Sequence, residues 1–321
     1  MHDITSSYSC PLCREYSDNI LTSSLRRGDG KVYLCKECDH GFLDSSSQLD
    51  IREYYNEEYR KEYSSNAAAT ETNAEELFDV YHNYQDSRLK IIRPSLKKDT
   101  ELLEVGCSSG MFMVHVKEEV KLINGIELDQ TCCEFVNRVL GISCDDDYLP
   151  NSKFCDIKYD IVCSFQVMEH VPDPVSFMGE LINATKPFGK IFIEVPNLDD
   201  SLLKVWKNEA YQDFYYHSAH LHYFTENSLR NVASKAGVKS ENIKFEFTQD
   251  YNLLNHLNWV TNHRPQKDCH VGLSKINLSD EEEDITQWLN DELLSLNKKY
   301  FQKLKDSKTT SNIMMIIDND R

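Results

Sequence analysis

From residue 100 onward, short apolar runs alternate with amphipathic stretches, a rhythm that predicts parallel strands joined by crossover helices. Glu101-Leu-Leu-Glu-Val105 reads as a strand, as do residues 122–127, 159–165 and 189–195, with helical patterns over 111–120, 131–140 and 174–184. A helix over 226–236 closes on Gly237, and two later strands are predicted at 243–248 and 312–317. Between these two lies an insertion, about 250–310, with a long helix over 280–304 carrying Trp288, Leu289, Leu293, Leu296 and Phe301 along one side. Ser279 is its N-cap candidate, and the acidic residues that follow suit the helix dipole. The pattern predicts an α/β, Rossmann-like sheet with helices on both faces.

Upstream the texture changes. Residues 1–47 read as a small ribbon, with Gly28-Asp-Gly30 as a hairpin turn leading into Val32-Tyr-Leu34. Residues 48–99 read as a helical linker or cover, with Tyr54, Tyr55, Tyr59 and Tyr63 on one helical side, more often packing than a pocket lid. The softest stretch is 66–76, and a helix over about 76–93 precedes the main domain, 100–321.

The ribbon carries Cys10-Pro-Leu-Cys13 and Cys35-Lys-Glu-Cys38. Two such knuckles at the ends of a hairpin supply the four soft ligands of a tetrahedral, structural zinc. Without metal, a polar segment this short has too few apolar side chains to order itself. His40 is a weaker candidate to replace one of the cysteines.

Composition narrows the class. The chain has 321 residues, 40% of them hydrophobic, and no apolar run long enough to span a bilayer. Eleven cysteines behind a start with no secretory pattern predict a reducing, cytoplasmic setting. The formal net charge of −18 opposes nonspecific nucleic-acid binding, and the basic group Lys90, Arg93, Lys97 and Lys98 reads as a solvated helix face. A small-molecule acceptor is therefore expected, with nucleic acid unfavoured.

Glu104-Val-Gly-Cys-Ser-Ser-Gly110 joins the first strand of the main domain to a helix. Gly106 supplies the tight turn, and Gly110 lets the helix start pack closely. A dinucleotide loop would place a third glycine at position 108, against pyrophosphate; Ser108 stands there instead. S-adenosylmethionine has no phosphate, and its cationic groups favour a carboxylate such as Glu104. Glu127, at the end of the second strand, is placed for the ribose hydroxyls. Asp145 and Asp146 are candidates for the adenine amino group, against the alternative of a solvated acidic loop. Cys107, Phe165 and Gln166 complete the expected cofactor set, the last two at the end of a strand.

The loop, Gly125-Ile-Glu-Leu-Asp129 and Met168-Glu-His-Val-Pro-Asp-Pro174 resemble class I S-adenosylmethionine-dependent methyltransferases, with the Glu-His-Val-Pro-Asp-Pro stretch similar to the ubiquinone-pathway O-methyltransferase branch. The cysteine ribbon, the Tyr-Tyr-x3-Tyr segment, His220-Leu-His-Tyr-Phe-Thr225 and Asn255-His-Leu-Asn-Trp259 resemble zinc-ribbon methyltransferases of bacterial sugar and surface-polysaccharide modification. The likeness covers nearly the whole chain, and Cys107-Ser108 departs from the family's more open loop. It implies a reversed last strand and a sugar or nucleotide-linked sugar acceptor. It also implies a catalytic pair, Glu169 and His170, with His170 as base. Histidine fits such a role because its ordinary pKa is near neutrality. In an extended segment His220 and His222 would point to one side, which favours acceptor recognition. A second metal on His217, His220 and His222 is disfavoured, since no carboxylate or cysteine stands at obvious ligand spacing. Two alternatives stay open: RNA methylation with the zinc module as reader, and a catalytically silent methyltransferase-like subunit.

Overall fold

Thirteen of the cysteine ribbon's residues form five short strands: β1 (Tyr8–Ser9), β2 (Tyr16–Ser17), β3 (Ile20–Thr22), β4 (Val32–Leu34) and β5 (Gly41–Leu43). The main unit supplies β6 (Glu101–Val105), β7 (Leu122–Ile126), β8 (Ser143–Asp145), β9 (Tyr159–Phe165), β10 (Thr185–Pro196), β11 (His222–Tyr223), β12 (Ile243–Thr248) and β13 (Asn312–Asp318).

The computed structural model describes residues 8–26, 29–44, 73–266, 268–278 and 284–320. The tyrosines at 54, 55, 59 and 63, Gly28 and the N-cap candidate Ser279 lie outside the described residues.

Strand β6 alternates between two buried faces: Leu103 and Val105 enter one apolar cluster and Leu102 enters the other. A strand buried on both sides belongs at the centre of a helix-covered sheet. The seven-stranded sheet has the order β12-β13-β10-β9-β6-β7-β8. Strands β10, β9, β6, β7 and β8 are parallel, while β13 runs antiparallel to both β10 and β12. The order turns about β6, with β7 and β8 on one side and β9 and β10 on the other. Ligands bind at such a switch point, outside the carboxyl ends of the strands.

Local chemistry sets the helix ends. Asp173 caps the helix Pro174–Ala184 by accepting from Val175 N and Ser176 N, with proline in the first turn. Thr225 and Ser228 form a reciprocal cap on Glu226–Lys235. The helix predicted over 111–120 is only Met113–Val116, because His115 N bonds Phe112 O in a tighter turn. The long helix spans Asp284–Asp306, and its predicted apolar side is largely solvent-facing: Trp288 is 59% and Leu296 51% exposed, and only Leu304 is fully buried. Among the described residues no helix is long and apolar enough to cross a membrane.

The ribbon is built into the main unit. Strand β11 pairs antiparallel with β5, matching His222 to Phe42 and Tyr223 to Gly41. The resulting sheet has the order β11-β5-β4-β3. Cys10, Cys35 and Phe42 share an apolar cluster with Leu103, Met168 and Phe224.

Candidate active site

The ends of β6, β7 and β9 open on one cavity of about 720 Å³. Gly106 follows β6 at φ +77°, and a Cβ there would lie 2.2 Å from Val167 Cγ2. The glycine is thus required by its backbone angle and by the close approach of Val167. Gly106→Ala is expected to destabilise the fold by about 1–2 kcal/mol for the left-handed backbone, plus the clash. Val167→Ala should relieve only the clash. Chemical denaturation of the single and double variants checks this, and wild-type stability of Gly106→Ala would refute it.

Ser108 also has positive φ, +47°, at the position where a dinucleotide loop carries glycine. Its N–H donates to Glu127 Oε2 at 2.7 Å, and Asp129 N–H donates to Glu127 Oε1 at 2.8 Å. Both carboxylate oxygens are thereby oriented, each keeping acceptor capacity at the cavity wall. Burial pushes Glu127 up to about 7. Burial also pushes Glu104 up to about 8, with Arg88 opposing and Glu127 adding to the rise. Glu104 Oε2 is buried with no hydrogen-bond partner among the described residues. Two carboxylates at the mouth of a phosphate-free loop fit a ligand that is cationic at one end and carries a ribose at the other.

Arg88, which lines the cavity, makes an ion pair with Glu194 that the sequence reading missed. Arg88 Nε and Nη2 both donate to Glu194 Oε1, at 2.8 and 2.6 Å, and its guanidinium lies 4.6 Å from the Phe165 ring centre. A single arginine on the inner face of the helix Asp86–Ile92 was the available signal.

At the other end, the turn after β9 meets the segment before β11. Leu221 N and His222 N both donate to Glu169 O, and His170 Nδ1 lies 2.9 Å from Ala219 O. With Nδ1–H donating to that carbonyl, the ring's lone pair is on Nε2. Burial lowers His170 to about 4 and pushes Glu169 up to about 8. Glu169, His170 and His220 all line the cavity. Beyond them stand Tyr211, Tyr215 and Trp259 with Asp200, Gln249 and Asn255.

The structure brings most of the expected residues together. Glu104, Gly106, Cys107, Ser108, Glu127, Phe165 and Gln166 border the cavity. Gly110 does not; its φ is +77°, and a Cβ would lie 2.5 Å from Leu140 Cδ1, so it serves helix packing. Asp145 and Asp146 are not in the wall either, and Asp145 Oδ2 instead accepts from Lys153 N at 2.8 Å. His222 is a correction as well. Its Nδ1 lies 3.0 Å from His40 Nε2 and its Nε2 3.0 Å from Val171 O, so it seals the ribbon against the main unit. The expected shared side with His220 fails because His220 precedes the strand, in a turn closed by His220 N to His217 O.

In the ribbon, Sγ separations are 3.7 Å for Cys10–Cys38, 3.4 Å for Cys13–Cys35 and 3.7 Å for Cys13–Cys38. A tetrahedron with bonds of about 2.3 Å to zinc has edges near 3.8 Å. Arg14 and Asp39, each directly after a knuckle, have φ of +69° and +54°, and Arg14 N and Asp39 N turn back to Cys10 O and Cys35 O. His40 bonds His222 and takes no part in the cluster.

The sheet order, the reversed β13 and the carboxylate-bearing loop define a class I S-adenosylmethionine-dependent methyltransferase. Residues 71–241, more than half of the chain, match the methyltransferase domain family, and the chain belongs to it. It is similar to the ubiquinone biosynthesis O-methyltransferase of Hydrogenovibrio crunogenus, 26% identical over 178 residues, covering 50% of this chain and 71% of that protein. It is also similar to the tRNA U34 carboxymethyltransferase of Nautilia profundicola, 29% identical over 113 residues, covering 32% of this chain and 37% of that protein. A solved S-adenosylmethionine-dependent methyltransferase from Archaeoglobus fulgidus aligns with a TM-score of 0.48 at 18% identity, over 76% of this chain and 96% of the other.

Proposed function

We propose that this methyltransferase acts on a sugar or nucleotide-linked sugar, with the acceptor over Glu169, His170 and His220 and a structural zinc on Cys10, Cys13, Cys35 and Cys38. The observation that carries the acceptor class is the cavity lining, which includes Tyr211, Tyr215 and Trp259 together with Asp200, Gln249 and Asn255. Ring faces pack on the C–H face of a saturated ring, while carboxylates and amides hydrogen-bond its hydroxyls. RNA is a poorer fit to a chain with net charge −18.

When bound, S-adenosylmethionine supplies an electrophilic methyl group carried on a sulfonium. Glu127 binds the ribose hydroxyls, and Glu104 balances the cationic end. His170, with its lone pair on Nε2, holds the acceptor group and takes its proton, and His220 positions the acceptor. The test is mass spectrometry of nucleotide sugars incubated with the full chain and labelled cofactor. A labelled methyl on a sugar is expected; label on tRNA and on no sugar would overturn the reading.

Cofactor affinity should depend on pH. Glu104, raised to about 8 by burial, is protonated in the free protein at neutral pH. A cation beside it favours the carboxylate, so binding releases a proton. Affinity is therefore expected to strengthen as pH rises toward 8, by at most about 1.4 kcal/mol per pH unit. Without ligand the same group contributes stability that is present below its unfolded pKa and lost as pH rises through about 8. Calorimetry in buffers of different ionisation enthalpy reads the proton count. Glu127→Ala should weaken cofactor binding by about 1.5–3 kcal/mol.

A further inference from the structure

We propose that Glu169, His170 and His220 form a site for one divalent cation, with open coordination positions facing the acceptor end of the cavity. Glu169 Oε1 lies 3.8 Å from His170 Nε2 and 3.9 Å from His220 Nε2. Both separations are too long for hydrogen bonds. They are a few tenths of an ångström wider than the edge, near 3.4 Å, of a tetrahedron with bonds of about 2.1 Å. Small side-chain rotations close that difference.

Neither Glu169 carboxylate oxygen has a hydrogen-bond partner among the described residues, and neither does His220 Nδ1. The Glu169 side chain is 1% exposed. A buried carboxylate without a partner is costly, and a cation shared with two imidazoles offsets that cost. The three groups are held by their backbones, since Glu169 O takes Leu221 N and His222 N while His170 Nδ1 meets Ala219 O. Two imidazoles and one carboxylate suit zinc, manganese or ferrous iron rather than calcium or magnesium. Three protein ligands leave positions for oxygen atoms of the acceptor, as in sites that keep an open coordination position. The inference rests on the reading of this end as the acceptor site and revises the role of His170 there: its Nε2 lone pair would hold the cation instead of taking the acceptor's proton, and the acceptor oxygen would be held through the cation.

The test uses the full chain with its ribbon metal in place, titrated with Mn2+ and followed by electron paramagnetic resonance. Mn2+ is a hard, weakly competing ion that leaves a thiolate site undisturbed. One bound Mn2+ per chain is expected, weakened at least tenfold in Glu169→Gln and in His220→Gln, and unchanged in the exposed control His263→Ala. Circular dichroism confirms that each variant is folded. No Mn2+ bound by folded wild type, or binding unchanged in both folded variants, overturns the proposal. If wild type binds none while His220→Gln still raises the Michaelis constant, the cation falls and the acceptor site stands. If Mn2+ binds and is lost in the variants with turnover unchanged, the cation site stands and the acceptor reading falls.

Discussion

His170→Ala is expected to cut turnover by about 10²–10⁴ while leaving cofactor affinity nearly intact. The ring lines the cavity where the acceptor is proposed to sit, while Ser108 N and Asp129 N orient Glu127 for the proposed cofactor contact. Its pKa, lowered by burial to about 4, keeps the imidazole unprotonated across the neutral range, with Nε2 open to accept a proton. His220→Ala should raise the Michaelis constant more than it lowers turnover, because its proposed role is to position the acceptor. His222→Ala should lower stability, since that ring joins His40 to Val171 O. Single-turnover kinetics beside calorimetric cofactor affinity separates these outcomes. Full turnover in His170→Ala with none in His220→Ala would move the catalytic role to His220.

Loss of the zinc proposed for the ribbon is expected to reach the active site. Structural zinc contributes about 10–16 kcal/mol of binding energy in small metal-folded modules, so Cys35→Ser should loosen the ribbon. The sequence alone predicts that residues 8–43 loosen while the strand-helix domain stays folded. The pairing of β5 with β11 changes that expectation, because β11 begins two residues after His220 and its His222 N bonds Glu169 O. Cys35→Ser should therefore lower turnover sharply while cofactor affinity changes little. Metal analysis, hydrogen exchange over residues 8–44 and 217–224, and calorimetry together check this. Protection of 217–224 unchanged in a metal-free ribbon would refute the coupling.

The strand-helix alternation, the cofactor loop and the cysteine knuckles were legible because each is a local pattern. Period-two burial in β6, the glycine at a left-handed turn and the Cys-x2-Cys spacing are all set by a few consecutive residues. Other features depend on contacts between distant segments. Glu169 was read as a neighbour of His170, yet the group it forms with His220 spans fifty residues of sequence and is held by hydrogen bonds from Leu221 N and His222 N. Arg88 reaches Glu194 across more than a hundred residues. His222 faces the ribbon because β11 pairs with β5, a choice made by packing around Phe42 and Tyr223 rather than by any repeat in the histidine segment. Side-chain periodicity fixes which residues share a face of one element, and only the tertiary pairing decides what that face meets.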